Sequence, residues 1–145
     1  MDAIELLEAD HKKAKKVMQE IAASSSAKKK ELFSNLKREL EEHDSIEENI
    51  FYPAVLSNPR TAGFQAKDKE AHSVVEEALR QLADLEVDDP DWIPTFDAMQ
   101  KRQLDHVADE EGNLFIKIRG VVSQAELDAL GVRVKAEKER RLKAA

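Results

Sequence analysis

Apolar side chains recur at three- and four-residue intervals along four long stretches of this chain, and little interrupts them. The first stretch runs from about Asp2 to Ala23, with Ile4, Leu7, His11, Ala14, Met18 and Ile21 on one face. The second, about Lys28 to Val55, aligns Leu32, Leu36, Leu40, His43, Glu47, Ile50 and Ala54. The third, about Phe64 to Leu85, aligns His72, Val75, Leu79 and Leu82, and the fourth, about Trp92 to Arg119, aligns Phe96, Gln103, His106, Val107, Glu110 and Leu114. This is the period of amphipathic helices. Breaks fall only at Ser24-Ser25-Ser26, at Asn58-Pro59 with Gly63, at Asp88-Asp89-Pro90-Asp91, which also caps the fourth helix, and at Gly120. Ser123-Gln-Ala-Glu126 has the form of a capping box and opens a fifth, shorter helix. Four long helices with short loops predict an all-α, up-down-up-down four-helix bundle with a short fifth C-terminal helix. Residues 1–120 would form the bundle, and 121–145 a C-terminal helix and basic tail of the same domain.

Charge narrows the partners. The net charge is −7. From Arg133 onward six basic and two acidic residues give +4, so the remainder carries −7 − 4 = −11. An acidic body argues against nucleic acid. The tail reads as a solvated helix end, with an anionic surface as the alternative. The acidic, amphipathic opening is not a signal peptide, and no apolar run reaches the ~20 residues of a membrane span, so a cytoplasmic protein is expected. The absence of cysteine removes disulfides, thiolate ligands and thiol catalysis.

Each of the four histidines lies on the apolar stripe of a different helix, and three have glutamate four residues later: His43/Glu47, His72/Glu76 and His106/Glu110. Residues at i and i+4 stack on a helix face, so each pair aims a nitrogen and an oxygen at one point. Three such pairs among four histidines arise by chance roughly 3% of the time at this acidic content. Counted along antiparallel helices at ~1.5 Å per residue, all four histidines fall within roughly 5–10 Å of one level, near one end of the bundle. A lone histidine on such a stripe is ordinarily a hydrogen-bonded core residue, but buried glutamates are costly without a counter-charge. Nothing basic lies on these stripes. Metal cations would supply it.

Four imidazoles and two or more carboxylates exceed the needs of one tetrahedral zinc, and oxygen-only calcium or magnesium sites make no use of imidazole. The donor set suits two octahedral ions bridged by carboxylates, iron first and manganese as runner-up.

The segments EADH ending at His11, HDSIEENIFYP from His43, KEAH ending at His72 and HVADEEGNLF from His106 together resemble the hemerythrin-like HHE cation-binding family. The resemblance spans about residues 1–120. It implies a non-haem di-iron centre with a solvent-derived oxo or hydroxo bridge, ligated by His11, His43, Glu47, His72, His106 and Glu110, with Glu47 and Glu110 bridging. The oxygen-carrying hemerythrins are similar but place a second histidine where this chain has Glu76. Glu76 would either bind iron in its place or turn aside, paired with a lysine or Arg80. They also place an aspartate five residues after the fourth-helix histidine, where this chain has Glu111. The ferritin-like bundle is the structural rival, yet only Glu8-Ala-Asp-His11 has its Glu-x-x-His spacing.

A centre of this kind would bind a small ligand such as oxygen, peroxide or nitric oxide. Ile50, Val75 and Val107 are candidates for the wall of a ligand pocket, with ordinary core packing as the alternative. Phe51 and Tyr52 read as packing residues beside Pro53. An extra carboxylate at Glu76 would favour ferric iron and hence reaction over carriage. A sensing module acting on a protein partner through the C-terminal helix, or an iron reservoir, are the other classes left open.

Overall fold

A computed structural model describes residues 1–57, 59 and 61–144; Asn58, expected in the second turn, lies outside the described residues. The described elements are α-helices and two π-helical turns: α1 (Ala3–Ala22), α2 (Ser26–Ile46), π1 (Glu47–Phe51), α3 (Tyr52–Val55), α4 (Ala62–Asp84), α5 (Trp92–Asp109), π2 (Glu110–Leu114), α6 (Phe115–Val121) and α7 (Gln124–Ala144). The run α2–π1–α3 is the second expected helix and α5–π2–α6 the fourth. Helix α1 packs on α2, α5 and α7, while α4 packs on α5 and α2, which is the expected bundle. None of the described helices is long and apolar enough to cross a membrane.

Local signals explain most boundaries. Asp2 caps α1 in a full capping box, its side chain accepting from Glu5 N while the Glu5 side chain accepts from Asp2 N. Asp91 makes no side-chain cap on α5, contrary to expectation; Asp89 instead turns the chain, accepting from Asp91 N at 2.8 Å. Gly120 does not end its helix either, since α6 runs on to Val121 and Val122 takes an extended conformation. Ser123 Oγ accepts from Glu126 N at 3.2 Å, where α7 was expected to begin. That helix runs for 21 residues, through the basic tail, because its inner face is anchored along its length. Leu127, Leu130 and Val134 are buried, and Gly131 lets α7 approach the start of α1 so closely that a Cβ would meet Met1 O at 2.7 Å.

Two apolar cores result. One joins Ala3, Ile4, Leu7, Ile46, Phe51, Leu114, Phe115 and Ile118 to the inner face of α7. The other joins Met18, Ile21, Leu36, Leu79, Leu82, Trp92, Phe96 and Met99. Between Leu7 and Ala14 on α1, and between Leu40 and Ile46 on α2, the chain passes through a polar layer that separates them. The histidines lie there, with apolar packing on both sides rather than at an open end of the bundle.

Candidate metal centre

His11 comes from α1, His43 from α2, His72 from α4 and His106 from α5, and each is at most 8% exposed; Glu47 and Glu110 are wholly buried. The two glutamates share a local feature that helical spacing does not reveal. Each opens a π-helical turn, so Glu47 O accepts from Tyr52 N and Glu110 O from Phe115 N, five residues on. The extra residue in the turn rotates the rest of the helix about its axis. Phe51 and Tyr52 both point inward, as do Leu114 and Phe115, whereas Ile50 slides to the edge of the stripe.

The inward nitrogens meet the two glutamates in two halves. In one, His11 Nε2 lies 3.1 Å from Glu110 Oε1 and His43 Nε2 lies 3.0 Å from Glu47 Oε1. In the other, His72 Nε2 lies 3.3 Å from Glu47 Oε1 and His106 Nε2 lies 3.3 Å from Glu110 Oε2. Glu110 therefore turns one oxygen to each half, whereas Glu47 presents the same Oε1 to His43 and His72. The outward Nδ1 atoms face a second set of carboxylates: Glu111 for His11 at 2.6 Å, Asp10 for His43 at 2.9 Å, Glu48 for His72 at 3.4 Å and, at 4.0 Å, Asp68 for His106. A carboxylate behind an imidazole fixes the tautomer that leaves Nε2 free to bind a metal.

Sequence reasoning missed three oxygen donors at this centre. The Tyr52 hydroxyl touches Asp68 Oδ2, Glu110 Oε2 at 2.8 Å and Glu47 Oε2 at 3.1 Å, so this residue is more than packing. A phenol has one hydrogen to donate, so a second of these contacts needs a protonated partner. Asp68, pushed up to about 7 by burial and then by Glu110, can supply it. Asp44 Oδ1 lies 3.5 Å from His72 Nε2, and burial, opposed by His72, raises it to about 7 as well. Asp44 follows a histidine and Tyr52 follows a π-turn, so neither stands on the regular stripe. Asp68 stands four residues before His72 on the same face, which was a readable signal.

These groups fit a cation. Among the described residues, the buried side-chain polar atoms without a hydrogen-bond partner are His11 Nε2, His72 Nε2, His106 Nε2, Glu47 Oε1, Glu110 Oε1 and, elsewhere, Trp92 Nε1. Five of six belong to this one layer. Nitrogen and oxygen in these pairs lie 3.1 to 3.3 Å apart, a convergence that suits donors to a common ion. No lysine or arginine among the described residues pairs with Glu47 or Glu110. Without a metal, protons must do its work. Burial would lower all four histidines, but the glutamates outweigh it and raise them, His72 to about 10. Burial would raise Glu110, but His106 and His11 hold it well below the usual carboxylate range. Atoms of Glu47, His72, His106 and Glu110, of His11, His43 and Glu110, and of His43, Asp44 and Glu47 form three clusters, each within 4.8 Å.

A family model for the hemerythrin HHE cation binding domain matches residues 2–118. The chain belongs to this family. Its fold is also that of the crystal structure of a hemerythrin HHE cation binding domain-containing protein from Mycobacterium kansasii, with a TM-score of 0.86 and 24% identity over 97% of this chain and 86% of that one. The search of curated proteins found no match.

Four expected site residues of this HHE domain stand apart from the clusters. Glu76 is half-buried on α4 and belongs to none of them, and Arg80, its suggested partner, instead holds Glu77 through Nε at 3.1 Å. Ile50 packs on the core that includes α7, Val75 lies in the opposite core, and Val107 is half-buried. Openings toward the histidines have other walls. A cavity of about 80 Å³ is bounded by Asp10, His11, Leu40, His43, Gln103 and Lys138 among others. A wider groove of about 410 Å³ between α4 and α5 reaches His106 and Asp68 beside Ala71 and Val74.

Proposed function

We propose that this HHE domain holds two non-haem iron ions, one facing His11 and His43 and one facing His72 and His106, bridged by Glu47 and Glu110. The observation that supports it is the convergence of unpaired Nε2 and carboxylate atoms in two halves that share both glutamates. Four imidazoles and two carboxylates exceed the needs of one ion, and mixed nitrogen and oxygen ligation suits iron, with manganese the alternative. When bound, an iron pair supplies redox chemistry and open positions for a small ligand.

The chain's own residues orient and enclose that pair. The four outward carboxylates hold the imidazole rings, the Tyr52 hydroxyl contacts one oxygen of each bridging glutamate, and the two cores keep bulk water away. Asp44 adds a buried carboxylate beside His72, and Glu76, a like charge near Asp44, helps to raise its pKa. Added negative charge favours ferric iron, so the ligand is oxygen, peroxide or nitric oxide, and it is consumed rather than carried.

Absorption spectra of the diferrous protein mixed separately with oxygen, nitric oxide and peroxide test this reading. Prompt oxidation is expected, with peroxide removed over many turnovers by disproportionation, and nitric oxide removed once per diferrous pair or over many turnovers when a chemical reductant is supplied. A spectrum that appears with oxygen and reverses when oxygen is withdrawn, with no turnover of the other two, would establish carriage instead.

A further inference from the structure

Among the described residues, only one of the four carboxylates behind the histidines is itself held by a cation. Lys138 Nζ, on α7, donates to both oxygens of Asp10 at 2.6 Å, and Asp10 Oδ2 accepts from His43 Nδ1 at 2.9 Å. Glu111, Glu48 and Asp68 have no such partner. A lysine–carboxylate pair on a surface ordinarily contributes little, because two long side chains must be held in one geometry. Here the geometry is held from both directions. Before Lys138, α7 is pinned by Gln124 Nε2 donating to Asp2 Oδ2 at 2.9 Å and by the close approach at Gly131. Beyond it, Arg141 Nη2 donates to Ser45 Oγ at 2.8 Å, two residues from His43. The nearby Lys13 is not a substitute, for it pairs with Glu39 at 3.1 Å.

We infer that Lys138 is a positioning residue for the His11/His43 half of the centre: by gripping Asp10 it fixes the carboxylate that orients His43, and so couples the seating of α7 to the metal held there. The inference rests on the two-ion reading above. Asp10 and Lys138 form part of the wall of the cavity of about 80 Å³ that also touches His11 and His43. Without the lysine, Asp10 can swing toward solvent in that cavity, and His43 Nδ1 loses its fixed acceptor. Among the described residues no hydrogen bond or ion pair joins α7 to His72, His106 or the carboxylates behind them, so the binding step of that half is expected to be unchanged. By reciprocity of linkage, filling the His11/His43 position steadies α7, and loosening α7 weakens that position.

The test is an equilibrium iron titration against a competing chelator under anaerobic conditions, which separates affinity from ease of access through the cavity. For Lys138→Met, about a tenfold loss is expected in one of two binding steps with the other unchanged, which is the lower end of the range for a partner behind a ligand. Asp10→Asn should weaken the same step, and the double variant should be no worse than Asp10→Asn, because Lys138 acts through Asp10. Lys138→Arg should restore much of the affinity. Arg141→Gln, which removes one contact that seats α7 and leaves the Lys138–Asp10 pair in place, should weaken the same step by less than Lys138→Met and leave the other step unchanged. Amide exchange gives a second readout: metal should slow exchange in α7 of the parent chain and not in Lys138→Met. Two undisturbed steps in Lys138→Met, or losses that add with Asp10→Asn, would overturn the coupling and leave the two-ion reading intact. A parent chain that binds a single ion would overturn that reading and the inference with it.

Discussion

The two halves of the centre have the same imidazole count and different surroundings. Around His11 and His43 the outward carboxylates are Glu111, 37% exposed at its side chain, and Asp10, neutralised by Lys138. Around His72 and His106 the buried Asp44 and Asp68 are added, and the Tyr52 hydroxyl contacts Asp68; no lysine or arginine among the described residues pairs with either aspartate. One half borders a small cavity beside α7 and the other a broad groove between α4 and α5. Ligand identity alone would make the two ions equivalent. On the proposed two-ion reading, their surroundings would make the His72/His106 ion the one that favours the ferric state and the His11/His43 ion the one that answers to the C-terminal helix.

The largest effect is expected where the halves meet. Glu110→Ala removes an oxygen from each, so iron content should fall from about two per chain to below one, as metal analysis would read. Its thermal midpoint should drop toward that of the metal-free chain, since each ion contributes ~4 kcal/mol when free metal exceeds its Kd about a thousandfold. A variant that still holds both ions would show that the halves are separate sites.

Single-histidine variants should next expose the asymmetry. His43→Ala and His72→Ala should each cost one ion, but the metal-free chains should differ. Removing His72 takes from the buried Asp44 the larger of its two imidazole attractions and leaves only His43, whereas removing His43 leaves Asp10 with Lys138. Denaturant unfolding of the two metal-free variants should place His72→Ala about 1–3 kcal/mol below His43→Ala. Equal stabilities would erase the charge difference between the halves.

A smaller effect comes from the clamp that seats α7. Burial would raise Asp2, but Arg119 first and then Gln124 lower it to about 2 from 3.8. A folded-state pKa below the unfolded value gives stability that is present above pH 4 and lost as pH falls through about 2. Because Arg119 is partly solvated, the contribution is about 1 kcal/mol. The stability gap between the parent and Asp2→Asn should be constant above pH 4 and close near pH 2. The smallest effect is expected for Glu76→Gln, within about 0.5 kcal/mol of the parent and with iron content unchanged. Loss of an ion there would return Glu76 to the ligands.

The bundle was legible because its signal is periodic. The stripes through Leu7, Leu36, Leu79 and Phe96 determine which faces meet, and counting residues along antiparallel helices brings four histidines to one level. The pairs His43/Glu47 and His106/Glu110 are readable for the same reason. The residues after each pair are not, because a π-turn adds a residue without changing composition. At regular spacing Ile50 falls on the pocket wall and Tyr52 among the packing residues, although it is the Tyr52 hydroxyl that reaches the centre. His72/Glu76 has the same spacing as the other pairs, but no π-turn succeeds it and its carboxylate is in none of the clusters. Lys138 lies 128 residues from Asp10 in a tail that reads as solvated, and no local pattern announces a contact that distant.

The central claim is that two ions share Glu47 and Glu110 while dividing the histidines between them. Crystals of iron-loaded protein, measured on both sides of the iron absorption edge, test it most directly. The account expects two anomalous peaks within the layer, one against His11 and His43 and one against His72 and His106, with both glutamates between them. A single peak, or a signal at the zinc edge in place of iron, would contradict it.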